Sequence, residues 1–321
     1  MKEPQHMELS FHTLDVFTDR IFGGNPLGVF PDAAHLPTPT MQRIAREMNL
    51  SETVFLGPPE TADGTARVRI FTPGVEVPFA GHPTVGTAIF LAAEAAADTA
   101  GAGSTGRVAA PDRTVTLVLE ENVGPVPVDV RLEGGRPVFA RFTTAVPPKH
   151  RPSPHTEADL AAMAGLEPDD LRVDGLAPEM VSCGLPYHVI PVASIEAVRR
   201  AALDTARWQR MLADSWAHHV YLVCPHGEGE GVDVRVRMFA PGSGVPEDPA
   251  TGSAAAALGG YLAAADGRES GMLSWTVEQG LEIGRPSLLY VEAERSGGRT
   301  SAVRVGGSAV RVSHGTMTVP D

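Results

Sequence analysis

The chain has 321 residues and a formal net charge of −13, with a composition typical of a soluble globular protein. The acidic excess argues against nucleic acid as a partner. No run approaches the ~20 apolar residues that a membrane-spanning helix needs. The N-terminus lacks the apolar segment of a secretion signal, and Cys183 and Cys224 lack the spacing of a metal site. We therefore expect a cytoplasmic protein with no metal and no membrane contact.

Predicted strands outnumber predicted helices along the chain. In chain order, the patterns predict strands at 9–17, 27–30 and 51–56, a helix at 39–48, a small-residue loop at 98–106, strands within 108–119, helices at 157–164 and 195–212, strands within 181–192 and at 220–224, and a closing hairpin or strand pair at 303–319. Prolines between 125 and 154 indicate a crossover into a second lobe. Because the helices are not regularly interleaved with the strands, the fold class is α+β.

One segment of the chain occurs twice. Residues 67–74 have the sequence RVRIFTPG, and residues 235–242 have the sequence RVRMFAPG. Each copy is followed by a turn of small residues and an Ala-rich run, so that His82 aligns with Asp248, Gly86 with Gly252, and Thr87 with Ser253. The repeat predicts two similar lobes, each containing a strand, a turn and a helix. The binding site is then expected in the cleft between the lobes.

The two helix starts are candidate anion sites. The first N–H groups of a helix have no intrahelical partner and carry a partial positive charge. Glycines such as Gly86 and Gly252 allow a ligand to approach the backbone closely. Two such starts facing one cleft predict the binding of a small carboxylate. The alternative is that both are ordinary capped helices without a ligand.

Three residues are candidates for proton transfer. Glu52 begins a β-branched run, where apolar neighbours can raise the pKa of its carboxyl towards neutrality. His82 and Asp248 occupy the two aligned turns, and Ser253 lies inside the second. A structural role for each stays open: Glu52 as a capping residue, Asp248 as an N-cap, and His82 as the neighbour of one.

Other chemistry is less well supported by the sequence. The remaining histidines are scattered, and the pair His218–His219 has no carboxylate at helical spacing, which favours a surface position. There is no G-x-S-x-G nucleophile motif, no G-x-G-x-x-G motif and no Walker-type loop. We therefore expect neither a serine hydrolase nor a nucleotide cofactor.

Several separate motifs resemble one family. They are residues 15–18 (DVFT), 24–27 (GNPL), 51–55 (SETVF), 71–73 (FTP), 81–84 (GHPT), 247–254 (EDPATGSA), 278–280 (EQG) and 284–286 (GRP). In order and spacing, from about residue 9 to the C-terminus, they resemble the PhzF-like phenazine-biosynthesis isomerases. The resemblance implies a diaminopimelate-epimerase-like fold with two pseudo-symmetric lobes, each a mixed sheet curled around a central helix. We place the N-terminal lobe at 1–125 plus 300–321, and the C-terminal lobe at 126–299.

The resemblance also implies roles for individual residues. Glu52 would be the proton shuttle, with His82 and Asp248 as the other catalytic residues. Gly81, Gly86, Thr87, Gly252 and Ser253 would bind the substrate. The reaction would be a cofactor-independent isomerisation of a small carboxylate by a homodimer.

This sequence departs from related amino-acid epimerases, which carry a cysteine at each helix start. Here Cys183 and Cys224 lie outside both turns, which disfavours a racemase that uses two thiols. Two alternatives stay open. One is a cysteine-independent epimerase or racemase of the same fold, with Glu52 opposed by Asp248 or His82. The other is a non-enzymatic protein that binds small carboxylates.

Overall fold

The structure is a computed structural model that describes residues 6–101 and 111–320. Residues 102–110, which contain most of the predicted loop at 98–106 and the start of the predicted strand region at 108, lie outside the described residues. The strands are β1 (His6–Val16), β2 (Asn25–Phe30), β3 (Glu52–Gly57), β4 (Ala66–Phe71), β5 (Glu76–Val77), β6 (Arg113–Glu121), β7 (Gly124–Glu133), β8 (Arg136–Thr143), β9 (Lys149–Pro152), β10 (Glu179–Ser182), β11 (Pro186–Pro191), β12 (His219–Cys224), β13 (Val234–Ala240), β14 (Val245–Asp248), β15 (Gly271–Gln279), β16 (Ser287–Ser296), β17 (Arg299–Gly307) and β18 (Ala309–Pro320). The helices are α1 (Thr38–Met48), α2 (Gly81–Gly101), α3 (Glu157–Ala164), α4 (Ile195–Arg200), α5 (Thr205–Met211) and α6 (Gly252–Asp266).

The chain forms two compact units, Met1–Phe142 with Gly307–Asp321, and Thr143–Gly306. The first change of unit therefore falls later than the sequence-based division after residue 125. Pro125 and Pro127 do not mark the crossover, because they lie within β7, opposite Glu120 and Val118 of β6. At the C-terminus, β17 pairs with β16 whereas β18 pairs with β1. The region 303–319 therefore contains two strands, as predicted, but they belong to different units and do not form a closing hairpin.

The two units have the same sheet topology. In the first unit the strand order is β18-β1-β2-β3-β4-β6-β7-β8, with β5 paired to β4. In the second unit the order is β9-β10-β11-β12-β13-β15-β16-β17, with β14 paired to β13. In both, the third and fifth pairings are parallel and the others are antiparallel. The duplication predicted from the repeated segment therefore extends over the whole sheet, and the α+β class is confirmed.

A buried helix follows the repeated segment in each unit. Helix α2 contacts β1, β2, β3, β6, β7 and β18, and α6 contacts β10, β11, β15 and β16. Because these strands are far apart in the order of each sheet, each sheet curls around its helix. Most α6 side chains from Ala254 to Ala263 are buried, as expected for a helix that is apolar on all faces.

The repeated arginines have structural partners. The second arginine of each copy makes two hydrogen bonds with the glutamate of the next short strand: Arg69 with Glu76 at 2.8 and 2.7 Å, and Arg237 with Glu247 at 2.8 and 2.7 Å. The planar guanidinium group suits this bidentate geometry. The pairing ties β5 to β4 and β14 to β13, immediately before the central helices.

Two glycines of one short turn should differ in their tolerance of a side chain. Both Gly280 and Gly284 have positive φ angles, +80° and +72°. A Cβ at Gly280 would lie 2.4 Å from the Arg285 carbonyl oxygen and 2.5 Å from that of Pro249, whereas one at Gly284 would meet no described atom within 4 Å. We predict that Gly284→Ala lowers the free energy of unfolding by about 1–2 kcal/mol.

Gly280→Ala should cost clearly more, ~3 kcal/mol or above, because the backbone itself has to move. Urea unfolding of both variants measures the difference. Equal losses would show that the contacts around Gly280 relax without cost.

Candidate active site

Glu52 and His82 meet in the first unit. Glu52 is the first residue of β3, and His82 is the second residue of α2. The Nδ1 atom of His82 lies 3.3 Å from Oε2 of Glu52, and their side chains are 4% and 19% exposed. These two residues, together with the first turn of α2, are called the N-terminal cluster below. The structure thus brings together two of the three residues that the sequence offered as candidates for proton transfer.

His82 is uncharged at neutral pH. Complete burial lowers the pKa of its imidazole from 6.5 to about 3, and a hydrogen bond to the Pro26 carbonyl acts in the opposite direction only weakly. The Nε2 atom is buried and has no hydrogen-bond partner among the described residues. The bond to Pro26 therefore uses Nδ1, which assigns the ring proton to that atom and leaves Nε2 as an acceptor. The contact with Glu52 thus joins a carboxyl group to a neutral ring.

Asp248 lies in the second unit, at the end of β14. Its buried carboxylate accepts a hydrogen bond from the Thr251 hydroxyl at 2.5 Å. The side-chain amide of Gln279 donates to the Asp248 carbonyl oxygen at 2.8 Å and to Thr251 Oγ1 at 3.0 Å, and its oxygen accepts from the Thr251 N–H at 3.3 Å. Gln279 thereby fixes the residues that precede α6. In the sequence, Gln279 stands out only as part of the motif at 278–280.

Ser253 lies in the first turn of α6, which begins at Gly252. The Ser253 hydroxyl is 2.6 Å from the hydroxyl of Tyr187 in β11. The N–H groups of Gly252 and Ser253 have no acceptor within the helix, because its first bond runs from the Ala255 N–H to the Thr251 carbonyl oxygen. This agrees with the sequence prediction for this turn. Asp248, Thr251, Ser253, Tyr187 and Gln279 are called the C-terminal cluster below.

Gly86 and Thr87 do not lie at a helix start, in contrast to the prediction. Helix α2 already begins at Gly81, so both residues belong to its second turn, where N–H groups are bonded within the helix. Pro83 is compatible with this early start, because proline is tolerated in the first helical turn. Gly86 provides close packing instead of ligand access: a Cβ there would lie 2.6 Å from Leu27 and 2.7 Å from Val16. In the first turn, only Gly81 and His82 can offer open N–H groups.

The common topology also identifies a residue that the sequence analysis missed. Thr53 pairs with Phe71 in the first unit, and Val220 pairs with Phe239 in the second. Since Phe71 and Phe239 occupy the same position of the repeat, Glu52 corresponds to His219. His219 is 7% exposed, so its predicted surface position is wrong. Alignment of the strands that precede the two copies of the repeated segment could have identified His219 from the sequence.

His219 resembles His82 in its environment. Its Nε2 atom lies 3.2 Å from the Ser243 hydroxyl, its ring is 5.5 Å from that of Tyr187, and its Nδ1 has no partner among the described residues. Burial lowers the pKa of its imidazole to about 4. Each unit thus combines one acidic residue and one neutral histidine at equivalent positions, with the two residue types exchanged.

Neither thiol is suited to proton transfer. Cys183 is buried, its Sγ donates to the Ala256 carbonyl oxygen at 3.4 Å, and burial raises its pKa to about 12. Burial also raises the pKa of Cys224. A nucleophilic or basic cysteine acts as a thiolate. The two raised pKa values therefore argue against a two-thiol mechanism, as the sequence did.

Within residues 6–101 and 111–320, no helix is long and apolar enough to cross a membrane.

Comparison with known proteins gives the family. The sequence profile described as "Phenazine biosynthesis-like protein" (PhzC-PhzF) matches residues 14–315. An uncharacterized isomerase from Mesorhizobium japonicum is 41% identical over 308 residues, which cover 95% of this chain and 97% of the relative. The trans-2,3-dihydro-3-hydroxyanthranilate isomerase of Pseudomonas aeruginosa is 36% identical, with coverage of 94% and 96%.

The similarity extends to structure. The crystal structure of a Bacillus anthracis phenazine biosynthesis protein of the PhzF family has a TM-score of 0.82 and 27% identity, and the match covers 97% of this chain and 99% of the other. The fold and the named relatives define the class as an isomerase. The chain belongs to the PhzC-PhzF family of phenazine biosynthesis-like proteins.

The neutrality of His82 makes stability depend on pH in a defined direction. The unfolded chain takes up a proton at His82 near pH 6.5, whereas burial holds off protonation in the folded chain until about pH 3. The free energy of unfolding should therefore fall as pH decreases through this window, by ~1.4 kcal/mol for each unit of pKa shift. We predict a shallower fall for His82→Gln than for the wild type, measured by urea unfolding from pH 7 to 4. Parallel curves would mean that His82 already titrates normally in the folded protein.

Proposed function

We propose that this protein is a cofactor-independent isomerase that moves a proton within a small carboxylate substrate, with Glu52 as the proton shuttle. The observation that carries this proposal is the contact between the Glu52 carboxyl group and a neutral, buried His82. A neutral imidazole does not hold the Glu52 carboxylate in an ion pair, so the carboxyl group can both lose and regain a proton. The neutral ring also keeps Nε2 as a hydrogen-bond acceptor.

The proposed substrate-binding groups include the first turn of α6. The N–H groups of Gly252 and Ser253 and the Ser253 hydroxyl are donors of the kind that bind a carboxylate. A helix N-terminus contributes only about 0.3–1 kcal/mol to the binding of an anion. Additional donors are therefore required, and Gly81 in the first turn of α2 is a second candidate.

The substrate proposal follows from the relatives. The Pseudomonas aeruginosa relative is named for trans-2,3-dihydro-3-hydroxyanthranilate, a small molecule that carries a carboxylate. We take this compound as the first substrate to test. The homodimer and the cytoplasmic location expected from the sequence stay predictions. Sedimentation velocity would test the homodimer.

Glu52→Gln tests the shuttle. The substitution keeps the shape of the side chain and removes its basicity. General acid–base catalysis contributes about 10²–10⁴-fold, so we predict a loss of at least about a hundredfold in turnover, with substrate binding and melting temperature near those of the wild type. The matched control is Glu47→Gln on the exposed side of α1, which should retain normal turnover.

Near-normal turnover of Glu52→Gln on a substrate that the wild type converts would rule out the shuttle. A variant that fails to fold, beside a stable Glu47→Gln variant, would indicate a structural role for Glu52.

A second candidate function is a cysteine-independent epimerase or racemase. It is favoured by the exchanged acid and histidine at equivalent positions of the two units, Glu52 with His82 and His219 with Asp248, because inversion of a stereocentre needs two bases. The reaction in deuterated water separates the candidates. We predict that the product has a shifted double bond and one solvent-derived deuterium at a new carbon. An inverted stereocentre with unchanged double bonds would instead support the epimerase.

A further inference from the structure

A buried carboxyl group lies behind the N-terminal cluster. Glu121, the last residue of β6, is 5% exposed. Its Oε1 atom is 2.6 Å from the hydroxyl of Thr84, in the first turn of α2 and two residues after His82. Its Oε2 atom is buried and has no hydrogen-bond partner among the described residues. The reaction proposed above does not use Glu121.

Counting hydrogens determines the state of this carboxyl group. The Thr84 hydroxyl has one hydrogen, but Thr84 Oγ1 lies within hydrogen-bond distance of two oxygens, the Ala80 carbonyl at 2.8 Å and Glu121 Oε1 at 2.6 Å. The Ala80 carbonyl oxygen can only accept, so its contact uses the single hydrogen of the Thr84 hydroxyl. The contact between Thr84 and Glu121 then needs a hydrogen from the Glu121 carboxyl group. Both contacts are satisfied only when Glu121 carries a proton.

The second unit supports the same conclusion. Arg67 pairs with Glu120, and Arg235 pairs with Glu278, so the next residues, Glu121 and Gln279, are equivalent. Gln279 donates from its neutral amide to Thr251 Oγ1 at 3.0 Å, while Thr251 donates its own hydrogen to Asp248. An amide cannot lose this hydrogen at ordinary pH, whereas a carboxylic acid can. The two units therefore hold their helix starts with equivalent donors that differ in their response to pH.

We propose that Glu121 is a positioning residue that acts as a neutral carboxylic acid, donating a hydrogen bond to Thr84 and so fixing the turn of α2 that carries His82 beside Glu52. Ionisation of Glu121 removes this donor and loosens the turn. Its importance for turnover rests on the function proposed above, whereas the protonation state of Glu121 does not.

The surroundings of Glu121 agree with this assignment. Burial raises the pKa of its carboxyl to about 8, against smaller opposing effects from Thr84 and from Arg67 on β4. The Arg67 guanidinium is engaged elsewhere, with the Glu120 carbonyl oxygen at 2.6 Å and with Asn122. The titratable residue of α2 that lies nearest to Thr84 in sequence is His82, which is neutral. On β7, the residue paired with Glu121 is Gly124, which has no charge.

The neighbouring Glu120 is a matched control. It lies on the same strand, but its carboxylate accepts hydrogen bonds from the N–H groups of Glu60 and Thr61 and from the Thr61 hydroxyl. These donors lower the pKa of the Glu120 carboxyl. The same substitution, Glu to Gln, therefore removes a neutral acid at one position and an ionised group at the next.

Infrared spectroscopy tests the protonation state without a substrate. At pH 7 the wild type should show the carbonyl band of a protonated carboxylic acid. Glu121→Gln should reduce this band by the intensity of one carboxyl group, and Glu120→Gln should leave it unchanged. A wild-type spectrum without the band, or a band of undiminished intensity in Glu121→Gln, would overturn the proposal whatever the reaction of the enzyme is.

The effect on the cluster is tested through pH. The ¹⁵N resonances of the His82 ring in the wild type should change as pH rises through about 8, and not in Glu121→Gln. If only the neutral form of Glu121 supports turnover, the wild-type rate should fall roughly tenfold between pH 7 and 9. The ratio of the two rates should stay near one in Glu121→Gln and fall as in the wild type in Glu120→Gln. The same alkaline fall in Glu121→Gln would show that Glu121 does not position the turn.

Discussion

The start of a buried helix is the physical constraint on which each unit depends. Helices α2 and α6 are surrounded by their own sheets, so the polar groups of their first turns must find partners away from water. In both units the last residue of the strand that follows the helix supplies one: Glu121 contacts Thr84, and Gln279 contacts Thr251 and Asp248. His82 and Ser253 lie in these first turns, so their positions follow from the hydrogen bonds that the first turns make.

The distribution of charge separates support from chemistry. The arginines of the repeated segment are paired with carboxylates, as in the pairs Arg69–Glu76 and Arg237–Glu247. Burial lowers the pKa of the imidazoles of His82 and His219 and keeps both rings neutral. A group that is neutral at working pH can accept or share a proton without first breaking an ion pair. The charged pairs therefore fix the strands, whereas the buried histidines are neutral.

Much of this organisation could be predicted from the repeated segment, because RVR-x-F-x-P-G and the apolar run after it specify the same strand, turn and buried helix twice. Local details depended on contacts that a sequence does not display. The start of α2 at Gly81 depends on Pro83 and on the return bond of Thr84 to Ala80, which moved Gly86 and Thr87 away from the helix start. His219 appeared as a surface histidine because its register against β13 is set by strand pairing. The separation of β17 and β18 into different units is likewise a matter of long-range pairing.

The differences between the two copies matter as much as their similarity. Glu52 corresponds to His219 and Glu121 to Gln279, so the first unit has an acid where the second has a base or an amide. Leu27 corresponds to Tyr187. Tyr187 adds a hydroxyl beside Ser253 that Leu27 cannot provide at the corresponding position. The second unit is thereby rich in hydroxyl groups at its helix start, whereas the first places the Glu52 carboxyl group beside a buried imidazole. The duplicated backbone therefore fixes where the polar side chains lie in each unit, and the substitutions between the copies determine whether each position donates or accepts a hydrogen bond.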